Sequence, residues 1–364
     1  MTETQFLFRA DVRKMNSPFP RYVPTLFLSV LFCGLSPVVL AQNASIVGQI
    51  VDADTGDPLP GVNVFLDQTT FGAASSEDGT YAIPAIQRGS YRVVASIVGY
   101  GTESTLIEVV PEKRQYAVNF RLRRVVIELG EVEVEDRRSR GWERNLRQFE
   151  RGFLGSSRNA QRTNILNPYV LDFEQNQGRF EARASAPIVV ENRALGYRLT
   201  IHLTYYFDMG AAITMGGPVY FDELEPVDTD EAELWRANRR ETYSGSLMHL
   251  LRSLIDGNSR QEGFYVAHEI APGAYNYSER RRIDLGLIPF IDAGGRPYLY
   301  RLFFEHPLYV EYGRETSWLR LTGNDATLHE DGYLYTFDFE PPPMSVRGAL
   351  SNRRVADMLP RDYR

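Results

Sequence analysis

Between residues 45 and 124 the sequence is a series of short runs in which apolar and polar residues alternate, separated by turn clusters at 52–61 and 75–79. Alternation with a period of two buries one face of a β-strand and exposes the other. Glycines lie at or beside the turns, where they adopt positive φ at the least steric cost. Short strands at such regular spacing predict a β-sandwich. Strands are expected at 45–51, 61–67, 79–86, 90–97, 103–110 and 116–124, with one more short strand near 70–74.

Five stretches of these runs form a recognisable pattern: Gly-Gln-Ile-Val-Asp at 48–52, the turn and strand at 55–64, Glu-Asp-Gly-Thr-Tyr at 77–81, Gly-Ser-Tyr at 89–91 and Gly-Tyr at 99–100. They resemble one family of small sandwich domains, the carboxypeptidase regulatory-like or transthyretin-like domain. The arrangement is similar to that of Bacteroidota-type proteins in which an uncharacterised C-terminal domain follows. The resemblance implies a seven-stranded transthyretin/prealbumin-like β-sandwich over 42–125, and it implies a fold rather than an activity.

Zinc carboxypeptidases carry a domain of this family, and they hold their metal with a His-x-x-Glu pair and a distant histidine. In this chain no histidine is followed by glutamate three residues later, and no two histidines have ligand spacing. We therefore predict no zinc-peptidase activity and assign no catalytic residue, cofactor or metal site. The five histidines are His202, His249, His268, His306 and His329.

The first 41 residues predict an export signal. Basic residues precede an apolar run at 26–40, and the small residues before Gln42 suit signal peptidase. The run is short and contains glycine and proline, so it is a poor membrane span. Translation is expected to start at Met1 or Met15. The single cysteine, Cys33, lies in this segment, so the exported chain has no thiol for a disulfide or a metal site.

Composition limits the partners of the chain. Apolar residues make up 43% and charged residues 24%, as in chains that fold. The formal net charge of −7 gives no electrostatic reason to bind nucleic acid. We expect an exported protein that is periplasmic, associated with the outer membrane or at the cell surface, with no transmembrane span after the signal is removed.

Residues 126–140 predict a strand followed by a charged linker. The sequence Leu-Gly-Glu-Val-Glu-Val at 129–134 resembles the TonB-binding strand that follows a similar domain in outer-membrane receptors of Bacteroidota. The resemblance implies an outer-membrane partner for 126–135, through pairing at a sheet edge. Only about 220 residues follow, too few for the receptor's own plug and barrel. A strand that pairs within this protein is the alternative.

The remaining residues, 141–364, predict a mixed α+β domain. Apolar spacing indicates helices at 142–154 and 246–255, and acidic residues at 228–230 suit the start of another helix. Short aromatic runs between and after them predict strands. The chain therefore divides into a signal at 1–41, a sandwich at 42–125, a strand and linker at 126–140, and an uncharacterised domain at 141–364.

Two groups of residues could form a metal site or a catalytic site, and each group also has a simpler structural role. Asp52, Asp54 and Asp57 suggest calcium, but an EF-type loop needs glycine and glutamate where Asp57 and Asn63 stand. We expect these carboxylates to hydrogen-bond the turn. The second constellation is Ser244, Ser246 and His249, which lie close in sequence but without a Gly-x-Ser-x-Gly elbow. We expect the serine to cap a helix and the histidine to pack.

Two further patterns are compatible with binding. The charged run at 279–282 predicts a solvated face, with an anion or partner site as the alternative. Tyrosines in the strands near 298–312 and 333–337 suit stacking on sugar rings, although packing within the sheets is the simpler interpretation.

The sequence as a whole favours an exported protein of the cell envelope that is not an enzyme and that binds a protein or carbohydrate ligand through its sandwich. Two alternatives stay open: an accessory to TonB-linked outer-membrane uptake, and a hydrolase of unrecognised type.

Overall fold

Two four-stranded sheets form the N-terminal sandwich, and their facing apolar residues make one core that includes Ile46, Ile50, Val64 and Val93. One sheet has the order β4-β1-β7, with β8 also paired to β1, and the other has the order β3-β2-β5-β6. The strands are β1 Ala44–Asp52, β2 Asn63–Leu66, β3 Gly72–Ala74, β4 Thr80–Ile86, β5 Gly89–Ser96, β6 Glu103–Val109, β7 Gln115–Ala117 and β8 Phe120–Leu122.

The computed structural model describes residues 43–125, 140–176, 178–210, 212–270, 281–284, 291–334 and 342–364. The predicted signal at 1–41 and the predicted partner strand at 126–135 lie outside these residues, as do most of the linker, the start of the charged run at 279–282 and the end of the aromatic run at 333–337.

The strand expected at 116–124 is divided into β7 and β8, both parallel to β1, so the sandwich has eight strands. The backbone N–H of Val118 still donates to the carbonyl of Val47 at 2.8 Å. One residue later the side chain of Asn119 replaces the backbone and accepts the N–H of Gln49 at 2.8 Å. Because a side chain takes over the ladder, the regular strand is interrupted between β7 and β8.

After the linker, a helix and two sheets form the next layer. Phe149 and Phe153 of the helix are buried against Tyr206, and the ring centroids of Phe149 and Tyr206 are 4.8 Å apart. The sheets have the orders β10-β11-β14-β15 and β16-β13-β12-β9. The elements are α1 Arg140–Leu154, β9 Thr163–Ile165, β10 Leu171–Asn176, β11 Arg179–Ala184, β12 Ile188–Asn192, β13 Tyr197–Ile201, β14 Tyr205–Asp208, β15 Ile213–Gly216 and β16 Val219–Glu223.

Two helices follow, α2 Thr229–Tyr243 and α3 Leu247–Ile255. The side chain of Asp228 accepts the N–H of Glu231 at 2.8 Å and so caps α2, as the acidic residues at this position predict. Trp235 of α2 is buried over Gly196, whose φ of 71° turns the chain between β12 and β13. No helix in the described part of the chain is long and apolar enough to cross a membrane.

The last part of the chain is again β-rich. A five-stranded sheet has the order β18-β17-β21-β22-β24, and a three-stranded sheet has the order β19-β20-β23. Both pack with α3 around a core that includes Leu250, Leu302 and Leu319. The β-rich fold with a sandwich and an α+β region is confirmed. The strands are β17 Phe264–Ile270, β18 Arg281–Asp284, β19 Ile291–Ala293, β20 Leu299–Phe303, β21 Leu308–Tyr312, β22 Glu315–Leu321, β23 Asp325–His329 and β24 Met344–Gly348.

The sandwich is joined to the C-terminal region through the turn between β2 and β3, and residues 41–364 form one compact unit. Gln68 donates its backbone N–H to the carbonyl of Val219 at 2.6 Å, and its own carbonyl accepts the N–H of Arg361 at 2.7 Å. The carboxylate of Asp67 accepts the N–H of Val219 at 2.9 Å. These hydrogen bonds fix the sandwich against β16 and the C-terminal tail, and they position a cleft at this junction.

Candidate functional site

A cleft of about 290 Å³ lies where the sandwich meets the C-terminal region. The end of β5 and the loop to β6 form one wall, the turn between β11 and β12 forms the opposite wall, and residues 202–204 after β13 complete the cleft. Val98, 74% exposed, stands among its lining residues. The polar side chains of the lining are those of Ser96, Tyr100, Thr102, Ser104, Ser185, His202 and Thr204.

The cleft carries no charged side chain: among the described residues that line it, none is an aspartate, glutamate, lysine or arginine. Its only group that titrates near neutrality is the imidazole of His202, and burial lowers the pKa of His202 to about 4. The imidazole is therefore neutral at pH 7. The cleft presents hydroxyl groups and backbone groups to a ligand, and no charged side chain.

His202 is held by both parts of the chain. Its ring stacks on Phe65 of β2, with ring centroids 5.5 Å apart, and its Nδ1 lies 3.4 Å from Oγ of Ser96 on β5. Oγ of Ser96 also accepts the hydroxyl of Thr102 at 3.3 Å. A serine beside a neutral imidazole has the composition of an activated nucleophile, yet in the part of the chain that the structure describes no carboxylate bonds to His202 to orient it. These contacts fix the positions of the Ser96 and His202 side chains in the lining of the cleft.

This site was missed by the sequence reasoning, which singled out His249 rather than His202. Ser96 and His202 are 106 residues apart. Neither belongs to a spaced motif, so only the fold brings the two side chains together.

We expect the free energy of unfolding to fall as the pH is lowered from 7 to 4, and His202 to be one cause. The folded pKa of His202 is about 4 and the ordinary value is 6.5, so between these pH values the unfolded chain binds a proton that the folded chain does not. Stability therefore rises with pH in this window. A shift of this size corresponds to about 3 kcal/mol.

The measurement is urea unfolding at pH 7, 6, 5 and 4. His202→Gln should flatten the dependence. Burial also lowers the pKa of His268 and of His329, so the His202 variant keeps part of the slope. An identical pH dependence in wild type and His202→Gln would contradict the assignment.

The serines and histidine singled out from the sequence form a helix start. Oγ of Ser246 accepts the N–H of His249 at 3.1 Å, so this serine caps α3. His249 is buried: its Nδ1 accepts the N–H of Gly245 at 3.1 Å, and its Nε2 lies 3.1 Å from the carboxylate of Glu262. The hydroxyl of Ser244 donates to the carbonyl of Arg240 at the end of α2. These contacts order the junction between α2 and α3, and they leave no Ser–His hydrogen bond between side chains there.

The turn after β1 is organised by Asp52, whose carboxylate is only 1% exposed. One oxygen accepts the N–H groups of Asp54 and Thr55 at 2.9 and 3.1 Å, and the other accepts the hydroxyl of Tyr100 and Nε of Arg124 at 2.9 and 3.0 Å. These bonds, the one from the Asp54 backbone first, hold the pKa of Asp52 well below its ordinary value. The remaining aspartates of the turn are exposed. Across the residues described, no three His, Cys, Asp or Glu side chains cluster as a metal site would require.

Two tyrosines of the described aromatic strands in the C-terminal region pack their rings within the protein. Tyr309 is buried with its ring centroid 5.7 Å from that of Trp318, and Tyr312 packs on Phe264 at 4.7 Å. Burial and packing of this kind match the simpler of the two interpretations made from the sequence.

Comparison with known proteins assigns the first part of the chain. Residues 46–134 match the family model of the CarboxypepD_reg-like domain. No curated protein matches the chain.

Similar solved structures cover only small parts of the chain. A type II cohesin–X-dockerin complex from Acetivibrio cellulolyticus is 19% identical over 21% of this chain and 52% of that chain, with a TM-score of 0.19. The major pilin subunit of Bacillus cereus is 9% identical over 23% and 31%, with a TM-score of 0.21. The 5-hydroxyisourate hydrolase of Klebsiella pneumoniae is 16% identical over 22% and 91%, with a TM-score of 0.20. This chain thus spans about half of the cohesin–dockerin chain and about a third of the pilin.

Up to residue 125 the strand order and the turn built on Asp52 agree with the family match, which identifies residues 46–134 as a carboxypeptidase regulatory-like domain.

Proposed function

We propose that the chain is an exported, non-enzymatic binding protein of the cell envelope, and that its ligand docks in the cleft at the junction of the sandwich and the C-terminal region. The division into a signal at 1–41, a sandwich at 42–125, a linker at 126–140 and a C-terminal domain at 141–364 belongs to the same proposal. The observation that carries it is the uncharged, hydroxyl-lined cleft of about 290 Å³.

The chemistry of the cleft selects the class of ligand. Binding sites for small ligands begin at about 300 Å³, so this cleft suits one sugar ring or a short stretch of peptide. A charged ligand would lose its hydration without gaining an ion pair, which is unfavourable. A neutral ligand with many hydroxyl or amide groups loses less and finds donors and acceptors in Ser104, Ser185 and Thr204. Val98 adds an exposed apolar contact. We therefore propose a neutral carbohydrate or an uncharged segment of a protein.

The test is a binding screen with a variant that fills the cleft. Purified protein beginning at Gln42 is screened on a glycan array and against envelope proteins, and each hit is titrated in solution. Ala186, a half-buried residue in the turn between β11 and β12, lines the cleft. Ala186→Trp should raise the Kd of the ligand by about tenfold or more, because the indole occupies its volume.

The matched control is Val227→Trp, which adds the same ring at an exposed position outside the cleft and should leave the Kd unchanged. A ligand whose affinity is equal in wild type and both variants binds elsewhere, and that result would overturn the proposed site. A screen without any ligand would count against the binding function itself.

A further inference from the structure

Among the described strands of the sandwich, β6 is a long edge strand that contains no proline, lysine or bulge. Natural sheets block exposed edges with proline, lysine, bulges or very short strands, because an open edge pairs with other chains. The edge strand β4 contains Pro84 and has Ala85 at a φ of 61°. Strands β3, β7 and β8 have three residues each. By contrast, β6 has seven residues in unbroken register with β5 and contains neither proline nor lysine.

A groove runs along this edge. It lies between β6 and residues 117–121 at the facing edge of the other sheet, has a volume of about 450 Å³, and is open to solvent. Ile107, Val118 and Phe120 form its apolar floor, and polar side chains such as Ser104, Thr105 and Asn119 line the rest. The first four residues of β6 are exposed, among them Leu106 at 43%. The groove therefore offers pockets for side chains next to a row of backbone donors and acceptors.

The charges of the edge indicate the chemistry of the occupant. Glu103 and Glu108 lie near the two ends of β6, both exposed and on opposite faces of the strand, and β6 carries no basic residue. The one basic residue of the groove lining, Arg121, donates to the carbonyl of Ala53. Opposite charges on paired strands stabilise the pairing, and like charges destabilise it.

We propose that β6 binds an extended segment of a partner protein by strand addition. The segment places apolar side chains at alternate positions into the groove beside Ile107, and lysine or arginine near its ends beside Glu103 and Glu108. Main-chain hydrogen bonds provide affinity, and the alternate side chains provide specificity. This surface is distinct from the cleft, although Ser104 borders both.

The test uses fluorescent synthetic peptides as probes with the whole exported chain. The first probe is Lys-Val-Thr-Val-Thr-Lys, which in antiparallel pairing places its valines opposite Ile107 and Thr105 and its lysines opposite Glu108 and Glu103. The second probe has glutamate in place of both lysines, and the third has proline in place of the second valine. Fluorescence anisotropy gives each Kd, and hydrogen–deuterium exchange locates the probe. We expect the lysine probe to slow amide exchange in 103–109 and to bind about tenfold or more tightly than the other two.

Two substitutions test whether the lysine probe binds at β6. Thr105→Lys puts a like charge on an exposed groove position and should weaken the lysine probe by about tenfold, whereas Ala82→Lys on the edge strand β4 should not. Circular dichroism verifies that both variants fold. Ala186→Trp, which fills the cleft, should bind the lysine probe with the affinity of the wild type. Binding at β6 can therefore be confirmed even if the cleft binds no ligand.

Equal binding of all three probes, or unchanged exchange in 103–109, would overturn the proposal. Protection in the free monomer of the β6 amides that do not bond to β5 would do the same, because a segment of the chain itself would then cover the edge. Protection that appears only as protein concentration rises would assign the edge to a second copy instead.

Discussion

Replacing Arg361 with alanine is expected to lower the free energy of unfolding by about 3–5 kcal/mol, the range for removing one member of a buried ion pair. Arg361 is only 7% exposed. Its guanidinium donates through Nε and Nη2 to the carboxylate of Asp331, with Nε at 2.7 Å, and Nη2 also donates to the carbonyl of Ser90 at 3.1 Å. Its carbon Cζ lies 5.3 Å from the ring centroid of Tyr91. Alanine would leave a half-buried carboxylate and a carbonyl of the sandwich without this partner.

Urea unfolding of the purified exported chain measures the effect. Arg361→Lys should recover only part of the loss, because a single ammonium group cannot reproduce the planar donors that reach Asp331 and Ser90 together. Arg364→Ala is the matched control: its bond to the side chain of Gln87 is exposed, and such contacts contribute about 0–1 kcal/mol. A loss below about 1 kcal/mol in Arg361→Ala would show that this guanidinium contributes little to holding the tail against the sandwich.

The parts of this fold that are encoded locally were predictable. The period of two in 45–124 predicts strands wherever one side faces a core, and the turns recur where glycine lies. Ser246 stands before an apolar helical stripe, and it is the N-cap of α3. Asp52 stands at a sharp turn, and its carboxylate accepts the N–H groups of that turn. In each case the residue and its partner are within a few positions of each other.

The parts that depend on distant segments were not predictable. The N–H of Thr70 donates to the carboxylate of Asp362, 292 residues away, at 3.1 Å. Ser96 and His202 are likewise in contact although 106 residues separate them in the sequence. No spacing rule links such residues, because the fold sets their distance. The cleft and the junction therefore required coordinates, whereas the sandwich did not.

Gly48 in the middle of β1 shows how one residue of the family pattern serves the packing of the sheet. The carbonyl of Val118 lies directly over its Cα, and a Cβ at this position would overlap that oxygen. The same carbonyl accepts the hydroxyl of Tyr81 at 2.7 Å, and Tyr81 is the cross-strand partner of Gly48 on β4. Glycine is required here for close approach of two backbones rather than for positive φ.

Gly48→Ala is therefore expected to lower the free energy of unfolding by about 4 kcal/mol. To relieve the overlap, the residues between β7 and β8 must move away from β1, which weakens their hydrogen bonds to it. Urea unfolding measures the loss, and exchange of the Val118 amide, which donates to Val47, should accelerate most. Gly101→Ala is the matched control, because its added Cβ meets Val125 at an ordinary 3.5 Å. Equal stabilities of the two variants would mean that β1 can move away from β7 and β8 at little cost, contrary to the tight packing inferred here.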